Sequence, residues 1–204
     1  MEIAGHTLPG YRICEYLLVL NPHEELAERI ASIRKDFNTQ FKVEQKIGAR
    51  PNLAIARFMQ YEMMEERIVN RLNTVAMGHH PFKVELKDFG SFPSHTVYIN
   101  VATKVPVQEL TKAVRAEAQR LMKLNDDNKP YFILEPHIIV SMKLKPWQYE
   151  AGWLMYSNKS FTGRFIADSL LLLKRVHGEK AWQIRKRFEL LNMPVNTKQG
   201  DLFG

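Results

Sequence analysis

Pro51-Asn52-Leu53-Ala54-Ile55 and Pro136-His137-Ile138-Ile139-Val140 are the two stretches from which the fold is read. Each runs proline, polar residue, apolar residues, and Asn52 and His137 stand 85 residues apart. Short apolar runs of this kind, entered from proline, read as buried strands. Working outward from them, the same order of elements recurs around each, which is the signature of an internal duplication.

Before the first stretch, Arg12 to Leu20 reads as a strand, with Tyr16 to Leu20 wholly apolar. A helix follows: Asn21 is placed to cap it, Pro22 suits its first position, Glu24 completes a capping box, and Leu26, Ile30, Ile33 and Phe37 share one face. Asn52 to Phe58 is the first motif strand, and Met64, Ile68, Leu72 and Val75 mark a second helix that Gly78-His79-His80-Pro81 ends. Phe82 to Leu86 and His95 to Val101 read as strands joined through Gly90-Ser91-Phe92-Pro93. Pro106 opens a third helix carrying Leu110, Val114, Ala118 and Leu121 on one face. Then come the strand His137 to Leu144, a helix over Pro146 to Tyr156, a long strand Arg164 to Arg175, and a returning strand Ala181 to Leu190. In that last strand Trp182, Ile184, Phe188 and Leu190 alternate with Gln183, Arg185, Arg187 and Glu189. Helix, strand, helix, strand, strand thus occurs twice. Two such lobes facing each other place Asn52 and His137 across a central cleft.

Composition sets the bounds. With 204 residues, 45% of them hydrophobic and 25% charged, the chain is long enough for one sizeable core and is not of disordered type. A single Cys14 excludes an internal disulfide framework and a Cys-rich zinc site. Leu170 to Leu173, the longest wholly leucine run, is far too short to span a bilayer, and no secretion signal is evident, so the expected compartment is the cytoplasm. The net charge is +7, and the chain from Ser141 onward carries 11 basic and 5 acidic residues, a footprint that suits a phosphate-bearing partner.

Arg50-Pro51-Asn52-Leu53-Ala54-Ile55-Ala56-Arg57-Phe58, Glu135-Pro136-His137-Ile138-Ile139-Val140 and the first strand ending Leu20-Asn21-Pro22 together resemble the 2H phosphoesterase superfamily. That superfamily includes the bacterial 2′-5′ RNA ligase-like proteins and the cyclic phosphodiesterases. The resemblance implies an α+β fold: a bilobal duplication of two antiparallel-sheet lobes with helices outside, pseudo-two-fold around a central cleft. It implies one domain over 1–204, with lobe-forming halves of about 21–103 and 104–192 and a polar tail over 193–204. Such families carry Pro-His-apolar-Thr/Ser-apolar at both motif strands. One histidine activates a hydroxyl or water, the other protonates the leaving oxygen, and the two hydroxyls hold phosphate oxygens. That chemistry requires no metal and no cofactor.

Here three of the four positions depart from the pattern. Asn52 stands for the first histidine, Ala54 and Ile139 for the two hydroxyl residues, and only His137 remains as a candidate catalytic group. Asparagine has no proton to exchange near neutral pH, so the two-histidine mechanism cannot run. Three readings follow. The first is a weakly active or inactive protein that binds an RNA end, a cyclic phosphate or a nucleotide in the cleft, with Asn52, His95, Ser141 and the cations Arg57, Lys143, Arg185 and Arg187 as candidate binding residues. The second is a cyclic phosphodiesterase with a rebuilt site using His137, helped by His95. The third is a protein-interaction module with a vestigial cleft.

Other residues carry less. Thr96 follows His95 directly, and His95 leads His137 by only 42 residues, off the repeat. Ser141 shares a strand face with His137 by alternation, four residues on. Arg185-Lys186-Arg187 reads as a charged edge strand, with RNA-backbone contact as the competing reading. His79-His80 lack a carboxylate cluster, so no metal site is expected, while His6 and His23 have no chemical neighbours in sequence. Trp147, Trp153 and Tyr156 sit at helical spacing and read as packing residues. Gln199-Gly200-Asp201-Leu202-Phe203 resembles the short peptide by which bacterial proteins dock on the replication sliding clamp, which implies a clamp-like partner.

Overall fold

The structure, a computed structural model, describes residues 10–44 and 50–193. The tail peptide Gln199 to Phe203 and His6 lie outside the described residues. The elements run β1 (Ile13–Leu20), α1 (Glu24–Gln40), β2 (Leu53–Tyr61), a 3-10 turn (Glu62–Met64), α2 (Glu65–Met77), β3 (Phe82–Phe92) and β4 (Thr96–Val101). They continue with α3 (Lys104–Met122), β5 (Tyr131–Phe132), β6 (His137–Met142), α4 (Pro146–Tyr156), β7 (Thr162–Ala167), β8 (Ser169–Val176) and β9 (Gln183–Glu189).

The strands form two antiparallel sheets. One has the order β5-β2-β1-β8-β9 and the other β6-β4-β3-β7. α2 and α3 pack on the first sheet and on each other, while α1 and α4 pack on the second. The bilobal α+β architecture read from the sequence is therefore present. The lobes are not the contiguous halves 21–103 and 104–192, because each sheet draws strands from both. α1 leaves β1 of the first sheet yet packs beside β6 and β7, and α3 leaves β4 of the second sheet yet packs on β2. Gln60 of β2 records the exchange, donating to the carbonyls of Leu121 and Lys123 at the end of α3 (2.8 and 3.0 Å).

Several boundaries differ from the sequence reading. The long strand Arg164 to Arg175 is two strands: the chain breaks at Asp168 and passes from one sheet to the other. Neither glycine nor proline stands at the crossing, so the sequence does not mark it. The α1 cap is His23, not Asn21. His23 is extended (ψ 164°) and its Nδ1 accepts from the Leu26 amide at 3.4 Å, which leaves Pro22 just outside the helix. α3 begins at Lys104, two residues before Pro106, which still falls in the first turn where its missing N–H is harmless.

One apolar core runs through both lobes. Tyr16, Leu18 and Leu20 of β1 are fully buried, and Tyr16 stacks on Phe58 of β2 at 4.9 Å. Beneath them lies a buried polar knot. Glu65 accepts from the Tyr16 hydroxyl at 3.0 Å, lies 2.6 Å from the Lys174 ammonium and pairs with Arg185. Burial alone would raise the Glu65 carboxyl, but Lys174, Arg185 and Tyr16 hold it below the ordinary carboxylate range.

The two motif strands carry a matching irregularity. In β2 the pairing steps from Leu18↔Ala56 to Val19↔Ala54, so Ile55 is an extra residue. In β6 it steps from Val97↔Ser141 to Tyr98↔Ile139, so Val140 is extra. Ile55 and Val140 are 85 residues apart, as Asn52 and His137 are. A bulge re-aims the side chains beyond it by one position. The duplication is therefore written into the backbone at this point as well as into the residue pattern.

Candidate functional site

A cavity of about 710 Å³ opens between the sheets, within the size range of small-ligand sites. β2 contributes Asn52, Ala54 and Arg57 to its wall, and β6 contributes His137, Ile139 and Met142. The three pairs share the 85-residue offset. Alternation brings the first two of each strand to the cleft, and the bulge then substitutes Arg57 and Met142 for the residues that strict alternation would place there.

That substitution disposes of Ser141 as a binding residue. It is buried on the far side of β6, where its hydroxyl donates to Asn38 Oδ1 of α1 at 3.1 Å. Lys143 is also absent from the cleft wall: it follows β6 in a left-handed turn (φ 55°) and is exposed. Arg185 pairs with Glu65 on the α2 side of its sheet, and Arg187 pairs with Glu189 at 2.7 Å and Asp168 at 3.3 Å. Neither arginine lines the cleft. The alternation read in β9 fails because Arg185 is itself bulged there, leaving Ile184 66% exposed while Phe188 is buried. His95 sits in the β3–β4 turn outside the cleft wall, with its Nδ1 2.7 Å from the Thr96 hydroxyl. It is Thr96, passed over in the sequence, that reaches the cleft.

His137 and Asn52 are held alike. The His137 Nδ1 lies 2.6 Å from the Glu135 carbonyl, which fixes Nδ1–H as the donor and leaves Nε2 with its lone pair. Asn52 Nδ2 donates to the Arg50 carbonyl at 2.9 Å, again two residues back. The asparagine keeps the anchoring donor of a histidine and lacks the second ring nitrogen. The His137 ring packs edge-on against Phe92 and tilted against Tyr98, both at 5.0 Å between ring centres. This burial pushes its pKa down, partly opposed by the Glu135 carbonyl and carboxylate. His137 is thus neutral at pH 7, an acceptor in the cleft. Tyr98 in turn lies flat over Gly90, where any Cβ would come within 2.5 Å of the ring.

The cations of the cleft come from three separate elements. Arg57 and Arg175 line it from β2 and β8, and Arg34 from α1. Glu15 ties the first two together: its Oε2 accepts from Arg175 Nη2 at 2.6 Å and lies 3.3 Å from Arg57 Nη2, while its Oε1 lies 3.0 Å from His177 Nδ1. Burial would raise the Glu15 carboxyl, but bonds from Arg175 and His177 and the charges of both arginines hold it low. Three guanidinium groups, of Arg34, Arg57 and Arg175, against the carboxylates of Glu15 and Glu135 leave a net positive wall. Trp182 lines the cleft beside them, with the Arg175 guanidinium 4.5 Å from its ring centre. Arg34 Nε donates to the Ile139 carbonyl at 2.8 Å on the free edge of β6, and burial lowers its pKa to about 10. Arg34, Arg175, Thr96 and Trp182 carried no signal in sequence, because nothing local ties them to the motif strands.

The remaining sequence candidates fall outside the cleft. His79 Nδ1 lies 2.8 Å from the Val75 carbonyl at the end of α2, and Trp147 is exposed away from it while Tyr156 is core. Among the described residues, no group of three or more His, Cys, Asp or Glu is placed to hold a metal ion, and no helix is long and apolar enough to cross a membrane.

Known proteins share this fold. The 2′-5′ RNA ligase superfamily matches residues 22–179. No curated protein matches the chain. Among solved structures, Escherichia coli LigT complexed with 3′-AMP superposes with a TM-score of 0.63 at 14% identity, covering 87% of this chain and 98% of that one. LigT complexed with ATP gives 0.62 at 15% identity, with 87% and 98% covered. A Thermus thermophilus protein gives 0.59 at 14% identity, with the same coverage. At such identities the superpositions speak to the fold.

Proposed function

The chain belongs to the 2′-5′ RNA ligase superfamily, and we propose that its cleft binds a phosphate-bearing RNA end, cyclic phosphate or nucleotide without the two-histidine hydrolysis. The observation that carries this reading is the shared wall: Asn52, Ala54, His137 and Ile139 face one cavity together with Arg57 and Arg175. The positions that hold acid, base and phosphate donors in the resembled family are here an amide, a methyl, a neutral imidazole and a sec-butyl group. What the site retains is charge and acceptors. Arg57 and Arg175, held by Glu15, present guanidinium N–H groups to phosphate oxygens. The Thr96 hydroxyl adds a donor, the His137 Nε2 accepts from a ribose hydroxyl, and Trp182 offers a face to a base. The 3′-AMP and ATP complexes of LigT make a nucleotide the natural probe.

Hydrolysis is handicapped twice over. Loss of a general acid or base costs a factor of about 10²–10⁴ and loss of one oxyanion donor about 10²–10³. A second reading rests on His137 itself: a neutral imidazole with a fixed tautomer is a competent base, so slow turnover of a 2′,3′-cyclic nucleotide through one histidine is the alternative.

Titration calorimetry with 3′-AMP and 2′,3′-cyclic AMP, run beside a turnover assay, tests both. The reading expects salt-sensitive binding that weakens about tenfold in Arg175→Ala, since a charged hydrogen bond contributes about 1.5–3 kcal/mol, and no turnover above that of His137→Ala. Binding of neither nucleotide overturns the reading. Turnover abolished by His137→Ala replaces it with the one-histidine enzyme.

A further inference from the structure

Beyond the cleft, the end of α3 and strand β5 carry a second groove. Arg115, Gln119, Arg120, Lys123, Lys129 and Tyr131 line it, and its volume is about 380 Å³. Every charged side chain in its wall is a cation. Lys123 pairs with Asp126, whose carboxylate is exposed, and Arg115 Nε donates to Gln119 at 3.4 Å. The groove adjoins the cleft: Tyr131 and Phe132 line both. At its other end it shares Gln119 and Arg120 with a further depression between α2 and α3 that adds Arg67 and Arg71. The carboxylate there, Glu117, is held by Arg71 at 3.2 Å.

A track of positive charge therefore starts at the cleft and continues around the lobe. The junction is specific. Tyr131 pairs with Arg57 across the β2–β5 ladder, so an aromatic ring stands beside a cleft cation. Tyr131 is 68% exposed, which leaves its face open. Cations that follow a backbone, interrupted by an aromatic ring on which a base can stack, suit a single strand. In a duplex the bases are already stacked and paired, and that ring has nothing to take.

We propose that the groove of α3 and β5 holds the nucleotides adjoining the end bound in the cleft, so that the ligand is a single-stranded RNA several nucleotides long. Arg115, Arg120, Lys123 and Lys129 contact successive phosphates, and Tyr131 stacks a base at the mouth of the cleft. This proposal rests on the cleft reading for the position of the end, and it adds the length and strandedness of the ligand.

The experiment compares three probes by fluorescence anisotropy and competition: 2′,3′-cyclic AMP, a single-stranded RNA octamer ending in a 2′,3′-cyclic phosphate, and the same octamer annealed to its complement. The octamer is expected to bind at least tenfold tighter than the mononucleotide. Four groove phosphate contacts add about −2.8 to the octamer's salt slope, so its advantage over the mononucleotide falls about 50-fold between 50 and 200 mM salt. The double variant Arg120→Ala/Lys129→Ala cuts the octamer's advantage about tenfold, removes about half of that added slope, and leaves cyclic AMP binding unchanged. Tyr131→Ala weakens the octamer about tenfold. Equal affinity for octamer and mononucleotide overturns the proposal, as does an advantage that the double variant leaves undiminished or a duplex that binds as tightly. Displacement of the octamer by polyglutamate at equal charge overturns it too, because the surface would then answer to any polyanion. Failure of cyclic AMP to bind, with the octamer still sensitive to the double variant, refutes the cleft reading and leaves the groove as an RNA surface. Failure of both probes refutes both.

Discussion

Restoring the missing groups is the sharpest test of how the cleft is built. In the variant Asn52→His/Ala54→Thr/Ile139→Thr, both motif strands carry histidine and threonine two residues apart and on the cleft side. The backbone is ready to receive them. The Arg50 carbonyl that now accepts from Asn52 Nδ2 at 2.9 Å is placed as the Glu135 carbonyl is for His137 Nδ1 at 2.6 Å. A histidine at 52 thus has its Nδ1–H anchored and its Nε2 aimed inward. Threonine at 54 and 139 keeps strand propensity, and the bond from Arg34 to position 139 goes to the backbone and survives. Asn52→His alone is expected to raise 2′,3′-cyclic nucleotide turnover about 10²-fold, the low end of the worth of an acid or base. The triple variant is expected to gain about 10⁴-fold, less than the product of the separate factors because groups acting as a unit are not additive. The assay is turnover of 2′,3′-cyclic AMP, with His137→Ala added to the triple variant as the control that abolishes the gain. A folded triple variant that binds the nucleotide and shows no gain would refute the reasoning that these four positions converge on one phosphate.

Three further perturbations follow from the packing and charge around the site. The His137 ring should titrate below 6.5 by NMR, because burial against Phe92 and Tyr98 disfavours the cation. Its contribution to stability is then present above the unfolded value of about 6.5 and lost as pH falls through the folded one; a midpoint at or above 6.5 contradicts the packing described. Gly90→Ala should cost about 1–3 kcal/mol by overpacking against Tyr98 and should shift the His137 ring resonances, whereas unchanged resonances would disconnect Tyr98 from the histidine. Lys174→Met leaves Glu65 with only Tyr16 and Arg185 and should cost about 2–3 kcal/mol, somewhat less than a fully uncompensated buried charge. Glu62 and Glu65 both have lowered folded pKa values, so the stability they contribute is complete above about pH 4.3 and lost on acidification. Thermal melts from pH 7 to 3 should show that acid loss in the parent and a shallower one in Lys174→Met.

Glu15 and Tyr131 show how little of the cleft depends on the motif strands alone. Glu15 lies on the strand between those of Arg57 and Arg175, and it sets the spacing of these two of the arginines that face the cavity. Tyr131 belongs to a strand of two residues that no periodicity could announce. Both act through partners far away in sequence. A reading based on runs and alternation assigns charge to the nearest cations instead, as it did with Lys143, Arg185 and Arg187.

What the chain's residues determined by themselves was local and periodic. Proline entry, apolar runs and helical stripes marked the four helices of the described residues and most of their strands, and the 85-residue offset marked the duplication. Alternation placed Asn52 with Ala54 and His137 with Ile139, and the residue types at once set three of the four apart from the histidine and hydroxyl pattern of the resembled superfamily. Tertiary structure decided the rest. An extra residue at Ile55 and at Val140 shows only as a shift in pairing with another strand, and that shift sent Ser141 toward Asn38 and brought Arg57 and Met142 to the cleft. The break at Asp168 and the exchange of α1 and α3 between sheets depend on which surface each element covers. Side-chain direction repeats every two residues and is legible along the chain. Register and sheet membership are set by contacts between residues far apart in it, and those set which cations face the cleft.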